Sequence, residues 1–290
     1  MVAPPIKDEP PINDRFWIRA LTIIAVYVST WRYLRWFWKH PGNGILFVWG
    51  FCIKIRGTHF ASLSEAHTMR FVAQHTSIPV PKVYCAFEWR GKAYTVMERI
   101  DGKMAACGWV YRSEESKRKV LAQLESLIQQ LHAVEPPDGG GVSNILGGPI
   151  YDARLHGEGF RGPFSDIKGF HRSLTNGMNL SNHTFVSTEN HPDLATEMKQ
   201  LGEFHDREFS RPILTHGDLS SLNVLVRGDE VVGIIDWETA GWYPPYWEYT
   251  TASYVNPYNE FWREEIDKFL KPLPYELEME NIRRQYFGDF

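Results

Sequence analysis

The chain has 290 residues, a length that favours two packed lobes over one small domain. Hydrophobic residues make up 43% of the sequence and charged residues 23%, proportions that exclude wholesale disorder and collagen-like repeats. The net charge of −4 provides no overall positive field, so we expect no nucleic-acid partner.

The first 40 residues divide into a tail and an aromatic, basic segment. Residues 1–14 contain four prolines and several charges, which predicts a flexible tail. Residues 15–40 are expected to form a helical segment, although the apolar stretch 20–28 is too short to span a bilayer. We expect residues 16–38 to pack on the domain or on a partner subunit. Peripheral membrane contact is the alternative, because basic, tryptophan-rich segments are typical of membrane surfaces.

Residues 41–98 predict a small, β-rich N-terminal lobe. Its strands are predicted by three stretches rich in apolar and β-branched side chains: residues 45–55 (broken by a glycine), 82–89 and 93–98. Between the first two stretches, Ser62 and Glu65 fit an S-x-x-E capping box, which predicts a helix that continues to about residue 76.

The rest of the chain, residues 103–290, predicts a larger and mainly helical C-terminal lobe, which a hinge at residues 99–102 joins to the first. Apolar side chains fall on one face of a helix over residues 114–134. Residues 138–192 are rich in Gly, His and Asn and have weak periodicity. We therefore expect an irregular insertion there, of the kind that contacts an acceptor substrate.

The sharpest chemical signal is an H-x-D-x-x-x-x-N sequence formed by His216, Asp218 and Asn223. It is followed by a predicted hairpin over residues 223–235, whose second strand ends at Asp236. Phosphoryl transfer requires such a set, with one carboxylate at the acceptor hydroxyl and an amide and a second carboxylate that hold Mg²⁺.

The order of other residues along the chain strengthens this interpretation. Lys54 lies near the end of an apolar strand, where a kinase places the lysine that binds nucleotide phosphates. Glu65 lies in the next helix, where it could hold that lysine. Residues 97–102 fall between the lobes, where a backbone edge would bind adenine. Together with the H-x-D loop, this is the order that a bilobal kinase requires.

These motifs resemble the aminoglycoside phosphotransferase and choline kinase superfamily, and most closely its fungal aminoglycoside phosphotransferase-like branch. The resemblance covers residues 45–252 and is carried by five segments: 63–66, 78–84, 215–219, 233–238 and 245–249. It implies an α+β, bilobal, protein-kinase-like fold with a small β-rich N-lobe and a larger, mainly helical C-lobe. A His-Gly-Asp triplet in place of His-Arg-Asp points to small-molecule kinases.

The resemblance also implies roles in the C-lobe. Asp218 would orient or deprotonate the acceptor hydroxyl, and Asn223 and Asp236 would bind Mg²⁺. His216 would position the loop rather than act as a base.

In the N-lobe, the resemblance implies that Lys54, braced by Glu65, holds the α- and β-phosphates of ATP. Backbone groups of Glu98 and Ile100 would bind the adenine, and Met97 would line its pocket.

Local alternatives stay open for several of these residues. Glu65 could serve only to cap its helix, Lys54 could be a solvated charge, and Asp236 could be a turn residue. The glycine-rich loop that covers the phosphates in kinases has no recognisable counterpart, since Gly42 and Gly44 lack a third glycine.

The predicted function is an ATP-dependent kinase that phosphorylates a hydroxyl of a small molecule. Residues 139–192 are not markedly acidic, which disfavours a polycationic acceptor, and the aromatic content favours a hydrophobic or natural-product alcohol. The alternatives are an inactive nucleotide-binding scaffold and a non-kinase reaction on the same fold. The three cysteines form no C-x-x-C pair, which fits a reducing, cytoplasmic location with or without peripheral membrane contact.

Overall fold

The computed structural model describes residues 9–31, 44–57, 63–152, 155, 159–254 and 260–288. The helices are α1 (Phe16–Thr30), α2 (Ser64–His75), α3 (Glu114–His132), α4 (Ile167–Leu174), α5 (Leu194–Asp206), α6 (Trp247–Tyr254), α7 (Glu260–Arg263) and α8 (Pro274–Phe287). The strands are β1 (Ile45–Val48), β2 (Phe51–Gly57), β3 (Val83–Trp89), β4 (Lys92–Glu98), β5 (Lys103–Met104), β6 (Ile150–Tyr151), β7 (Phe160–Arg161), β8 (Ile213–Thr215), β9 (Val224–Arg227), β10 (Glu230–Ile234) and β11 (Gly241–Tyr243).

The N-lobe is built on an antiparallel sheet with the strand order β1-β2-β4-β3. The apolar run that starts at Ile45 forms two strands, because Trp49 and Gly50 make a two-residue turn between them. Trp49 adopts a φ of 51°, the left-handed backbone that such tight hairpin turns require.

The two faces of this sheet have different neighbours because successive side chains along a strand point to opposite sides. On one face, Ile53 packs with Val26 of α1. On the other face, Cys52 packs with Met69 of α2. Lys54 follows the parity of Cys52 and therefore lies on the α2 side, away from α1.

Helix α1 rests on the outer face of the sheet. Ile18 and Ile23 contact the cluster of Cys85, Phe87 and Tyr94. This agrees with packing on the domain for the inner side of the helix, while residues 32–40 of the predicted aromatic segment lie outside the described residues. Within the described ranges, no helix combines the length and the apolar character that crossing a bilayer needs.

The described residues before α1, 9–15, pair with the N-lobe, within a segment for which the sequence predicts a flexible tail over residues 1–14. In the described part of that tail, Ile12 is buried and forms an antiparallel bridge with Ala86 of β3. Asn13 donates a hydrogen bond from Nδ2 to the carbonyl of Tyr84 at 3.1 Å. The reason is that β3 is an edge strand of the sheet, so its outer backbone groups are open to pairing.

The C-lobe is mainly helical, with the predicted helix α3 at the centre of its core. Ser113 caps α3 by accepting a hydrogen bond from the backbone N–H of Ser116 at 3.2 Å. The hairpin of β9 and β10 is joined by β5 in a three-stranded sheet that the sequence did not predict. The α+β, bilobal, kinase-like fold class is confirmed.

The 138–192 insertion is more ordered than its weak periodicity suggests. It contains the β6–β7 hairpin and helix α4. Ile150 and Phe170, from these elements, pack with Trp247 in a second hydrophobic core. The apolar residues of the insertion are irregularly spaced in the sequence, yet they pack in a buried cluster with residues far away along the chain.

Candidate active site

Lys54 is the centre of the charged cleft between the lobes. It lies in β2 with 4% of its surface exposed, and its Nζ contacts three carboxylates. These are Glu65 Oε1 of α2 at 2.9 Å, Asp236 Oδ1 at 2.6 Å and Glu238 Oε2 at 2.8 Å. The structure thus brings together Lys54, Glu65 and Asp236, which the sequence predicted, and adds Glu238.

This geometry bears on two alternatives, that Lys54 is a solvated charge and that Glu65 serves only to cap its helix. Lys54 is buried and paired rather than solvated. Helix α2 begins at Ser64 with Leu63 at its N-cap position, where no side-chain capping bond forms. Ser62, the serine of the predicted capping box, lies outside the described residues. The Glu65 carboxylate has a partner in Lys54, so capping is not needed to explain it.

The three carboxylates therefore share one ammonium group, that of Lys54. Burial lowers the pKa of Lys54, but Glu65, Asp236 and Glu238 together raise it, so the lysine is charged. Burial raises the pKa of Glu65 to about 7; the attraction of Lys54 opposes this rise, and the negative charges of Asp236 and Glu238 add to it. Burial also acts to raise the pKa of Asp236, yet the charge of Lys54 and its hydrogen bond lower it overall. The cluster holds excess negative charge, which a cation could neutralise.

Asp236 reaches this cluster through an unusual backbone conformation. Its φ of 66° and ψ of 58° lie in the left-handed region, two residues after the end of β10. The next residue, Trp237, is fully buried and donates from Nε1 to the carbonyl of Ile234 at 2.9 Å. This anchored indole holds the turn in which Asp236 faces Lys54.

The loop from His216 to Asn223 follows β8 and is held by its own hydrogen bonds. Asn223 donates from Nδ2 to Asp218 Oδ2 at 2.7 Å and to the Asp218 carbonyl at 2.9 Å. Gly217 has a φ of +80°, and a Cβ there would lie 3.0 Å from the carbonyl oxygen of Thr239. Glycine therefore fits the centre of the His-Gly-Asp triplet on both conformational and steric grounds.

Both ring nitrogens of His216 are engaged, which explains why this residue is suited to hold the loop. The Asp218 backbone N–H donates to Nδ1 at 3.1 Å, so Nδ1 accepts. Nε2 lies 3.0 Å from the carbonyl of Ile235 and must therefore carry the proton. A buried imidazole with both nitrogens bonded connects the loop to Ile235, directly before Asp236, and has no free lone pair for a base.

Glu248 of α6 anchors the loop from behind. Its two carboxylate oxygens accept from the backbone N–H groups of His216 at 2.7 Å and Gly217 at 3.0 Å. Burial acts to raise the pKa of Glu248, but His132 and the bonds from the loop lower it overall. The matching Pro-Tyr-Trp-Glu-Tyr segment was the only sequence signal for this contact.

Trp262 is a second support of the loop. Its Nε1 donates to the carbonyl of Leu219 at 3.0 Å, and the side chain is buried. Since Trp262 lies in the short helix α7, only the tertiary fold brings it under the loop.

The predicted hinge residues lie at the end of β4 and directly after it. Met97 is buried in the core between the lobes. The N–H of Glu98 donates to the carbonyl of Lys82 at 2.9 Å. No hydrogen bond within the described part of the chain uses the N–H of Ile100, which is the kind of group that adenine needs. The Ile100 side chain packs over Gly233, where a Cβ would come within 2.6 Å of it.

The donor set at the cleft fits a magnesium ion that is shared with a nucleotide. Asp236 offers a partly exposed carboxylate, and the Asn223 amide nitrogen is already used, which leaves its oxygen to face a cation. In the ranges that the structure describes, no group of three or more His, Cys, Asp or Glu side chains forms a complete metal site. Mg²⁺ is commonly held by only one or two protein oxygens together with phosphates and water.

The fold and this cleft define the chain as a small-molecule kinase of the protein-kinase-like type. Residues 54–278 match the model of the phosphotransferase enzyme family, and the chain belongs to that family. No curated protein matches the sequence significantly.

Solved structures share the fold at low sequence identity. A thermostable mutant of aminoglycoside phosphotransferase APH(4)-Ia, in a ternary complex with AMP-PNP and hygromycin B, has a TM-score of 0.55 at 16% identity, over 85% of this chain and 82% of that one. The streptomycin–ATP–APH(2″)-IIa complex has a TM-score of 0.52 at 14% identity, over 93% and 87%. An aminoglycoside-3′-phosphotransferase of type VIII has a TM-score of 0.51 at 19% identity, over 85% and 91%.

Proposed function

We propose that this chain transfers the γ-phosphoryl group of ATP to a hydroxyl group of a small molecule, with Mg²⁺ as the cofactor. The observation that carries the proposal is the meeting of Lys54, Glu65 and Asp236 at one point, next to the loop that holds Asp218. Lys54 and Asp236 are 182 positions apart in the sequence. Two ATP-analogue or ATP complexes among the structural neighbours support the nucleotide assignment.

Within this proposal, the chain's own residues position and neutralise rather than form covalent bonds. Lys54, held by Glu65, donates hydrogen bonds to nucleotide phosphate oxygens, and the N–H of Ile100 donates to the adenine. Asn223 and Asp236 hold Mg²⁺, which supplies positive charge at the transferring phosphoryl group. Asp218 accepts a hydrogen bond from the acceptor hydroxyl and takes its proton as the new O–P bond forms, while the bond between the γ-phosphorus and the β,γ-bridging oxygen breaks and ADP leaves.

We infer that the acceptor is an apolar alcohol. Tyr151 of β6 and Phe160 of β7 place their rings 5.6 Å apart in the insertion. Strand β6 lies against residues 237–239, the turn that contains Glu238, so Tyr151 is close to the cleft. Burial raises the pKa of Tyr151, and the charge of Glu238 raises it further. Aromatic side chains beside the cleft favour an apolar molecule. Competition between hydrophobic and polar alcohols for binding tests this class, and competition by polar alcohols alone would contradict it.

The experiment that tests the reaction is Asp218→Ala. We expect ATP turnover with a panel of alcohols to fall by at least about 1,000-fold, since general-base and positioning contributions are lost together. ATP affinity, measured by calorimetry, should stay within a few-fold of the wild-type value, because Asp218 does not contact the nucleotide in this proposal. Turnover within a few-fold of the wild type would overturn the role of Asp218.

The same assay separates the kinase from an inactive scaffold. If the chain is an inactive scaffold, the wild type and Asp218→Ala should bind ATP with the same affinity, and neither should consume it. The charged cleft and the hydrogen bond from Asn223 to Asp218 favour the active enzyme. Magnesium-dependent ATP consumption by the wild type and its loss in Asp218→Ala is the pattern expected of the enzyme.

A further inference from the structure

Helix α1 carries apolar side chains on both sides, and only one side is covered. The inner side packs on the N-lobe sheet through Ile18, Ile23 and Val26. Six large apolar side chains on the other side are between 51% and 87% exposed; they are Phe16, Trp17, Leu21, Ile24, Tyr27 and Trp31. We call these six residues the outer face of α1.

The outer face is continuous rather than scattered. With about 100° of rotation per residue, the six positions fall within an arc of about 140°. The helix is about 22 Å long at about 1.5 Å per residue, so the arc forms one elongated apolar strip. Exposed apolar surfaces of this extent on a folded protein mark sites of contact with a partner or a membrane.

The charge of the segment indicates which occupant fits the strip. Residues 15–39 contain five Lys or Arg residues and no Asp or Glu, whereas the rest of the chain has a net charge of −9. Of the five, Arg15 and Arg19 lie within the described residues, and Arg19 pairs with Asp14. Arg15, directly before the helix, is exposed. Two copies of so basic a segment would repel each other, but an anionic surface would attract it.

The composition of the strip also fits a lipid interface. Trp17 and Trp31 lie at its two ends, with Tyr27 between them and the aliphatic Leu21 and Ile24 at its centre. Tryptophan and tyrosine favour the headgroup level, where an apolar ring body and a polar N–H or O–H are both accommodated. A helix of this kind lies in the plane of the interface and does not cross the bilayer.

We propose that the outer face of α1 docks this enzyme on an anionic membrane surface. The strip lies on the side of the N-lobe sheet opposite Lys54, so the bound orientation leaves the catalytic side of the sheet uncovered. The inference does not depend on the phosphoryl acceptor, because membrane docking needs neither nucleotide nor acceptor.

The test is sedimentation of the full-length protein with phosphatidylcholine vesicles, prepared with and without phosphatidylserine. We expect binding to the anionic vesicles that weakens at high salt. The variant Trp17→Ser/Leu21→Gln/Ile24→Gln should bind them at least about 100-fold more weakly, since three apolar contacts are lost. Tyr111→Ser is the matched control: Tyr111 is 91% exposed on the C-lobe, and its loss should leave vesicle binding unchanged.

Two further measurements separate loss of membrane docking from misfolding and from dimerisation. Circular dichroism and ATP affinity of the triple variant should equal those of the wild type, because the three side chains are exposed and contact no catalytic residue. Sedimentation velocity without vesicles tests the rival occupant. A wild-type dimer that the triple variant abolishes, with no vesicle binding, would show that a second copy covers the strip. Absence of vesicle binding, or equal binding by the triple variant, would likewise overturn the proposal.

Discussion

Two neighbouring parts of the cleft, the loop from His216 to Asn223 and the cluster around Lys54, differ in how their polar groups are paired. In the loop, each hydrogen bond described above has a matched donor and acceptor, and both ring nitrogens of His216 are bonded. Around Lys54, three carboxylates share one ammonium. The hydrogen bonds described for the loop are therefore satisfied without a ligand, whereas the cluster around Lys54 has excess negative charge that a bound cation could neutralise.

This difference indicates which half of the cleft is preorganised and which half responds to substrate. Fixed dipoles aimed at a reacting group cost no reorganisation during the reaction. An excess of carboxylates, in contrast, favours the arrival of a divalent cation, and its arrival should release Lys54 towards phosphate oxygens. We expect mutations in the two parts to act differently.

The largest effect is expected for Lys54→Met, which removes the shared ammonium. The catalytic efficiency with ATP should fall at least about 100-fold, or about 2.7 kcal/mol in transition-state stabilisation. The free energy of unfolding should fall by about 3 kcal/mol, since buried carboxylates lose their partner. Steady-state kinetics and urea unfolding measure the two quantities. Lys199→Met, at an exposed position of α5, is the control, and equal losses in both variants would refute the cluster's role.

A pH experiment extends the comparison to another buried, hydrogen-bonded histidine. His171 is buried between His205 and Tyr246, with Nδ1 3.1 Å from the His205 carbonyl and Nε2 2.8 Å from the Tyr246 hydroxyl. Burial lowers its pKa to about 4, below the ordinary value of 6.5. The unfolded chain therefore binds a proton more readily, and stability should be lost as the pH falls from about 6.5 towards 4.

The size of that loss is up to about 3 kcal/mol from His171. In His171→Gln this contribution is absent, so the gap in unfolding free energy between wild type and variant should shrink over the same pH interval. Urea titrations at a series of pH values measure the gap. His183→Gln, at an exposed histidine, should retain the wild-type pH dependence. A gap that stays constant from pH 6.5 to pH 4 would show that His171 is not held neutral by the fold.

A smaller effect is expected for Glu248→Gln, which leaves one acceptor oxygen for two backbone N–H groups. We expect a loss of about 2 kcal/mol in stability, the value of a charged hydrogen bond, and a fall in kcat of about tenfold with little change in the KM for ATP. Thermal unfolding and kinetics check both. Glu203→Gln, at an exposed position of α5, should change neither, and a wild-type kcat for Glu248→Gln would show that the loop does not need its anchor.

How much of this could be predicted depends on whether a residue acts within a local motif or through the tertiary fold. The order of Lys54, the H-x-D loop and Asp236 predicted the bilobal fold, and the structure brings those residues together. The contact of Glu238 with Lys54 was not predicted, because a carboxylate two positions after Asp236 has no local signature of its own. Likewise, the pairing of Ile12 with β3 depends on an exposed sheet edge that no pattern in residues 1–14 reveals.

The most direct test of the account is a crystal structure with Mg²⁺ and a non-hydrolysable ATP analogue. We expect the nucleotide between the lobes, with the adenine at the Ile100 N–H and Lys54 still bonded to Glu65. The Lys54–Asp236 contact of 2.6 Å should be replaced by phosphate and metal contacts. The loop should keep its conformation, which either the hydrogen bond from Asn223 Nδ2 to Asp218 Oδ2 or a contact between the Asn223 amide oxygen and the metal would show. A nucleotide bound elsewhere, or Lys54 still held by Asp236 and Glu238 with no phosphate contact, would contradict the account.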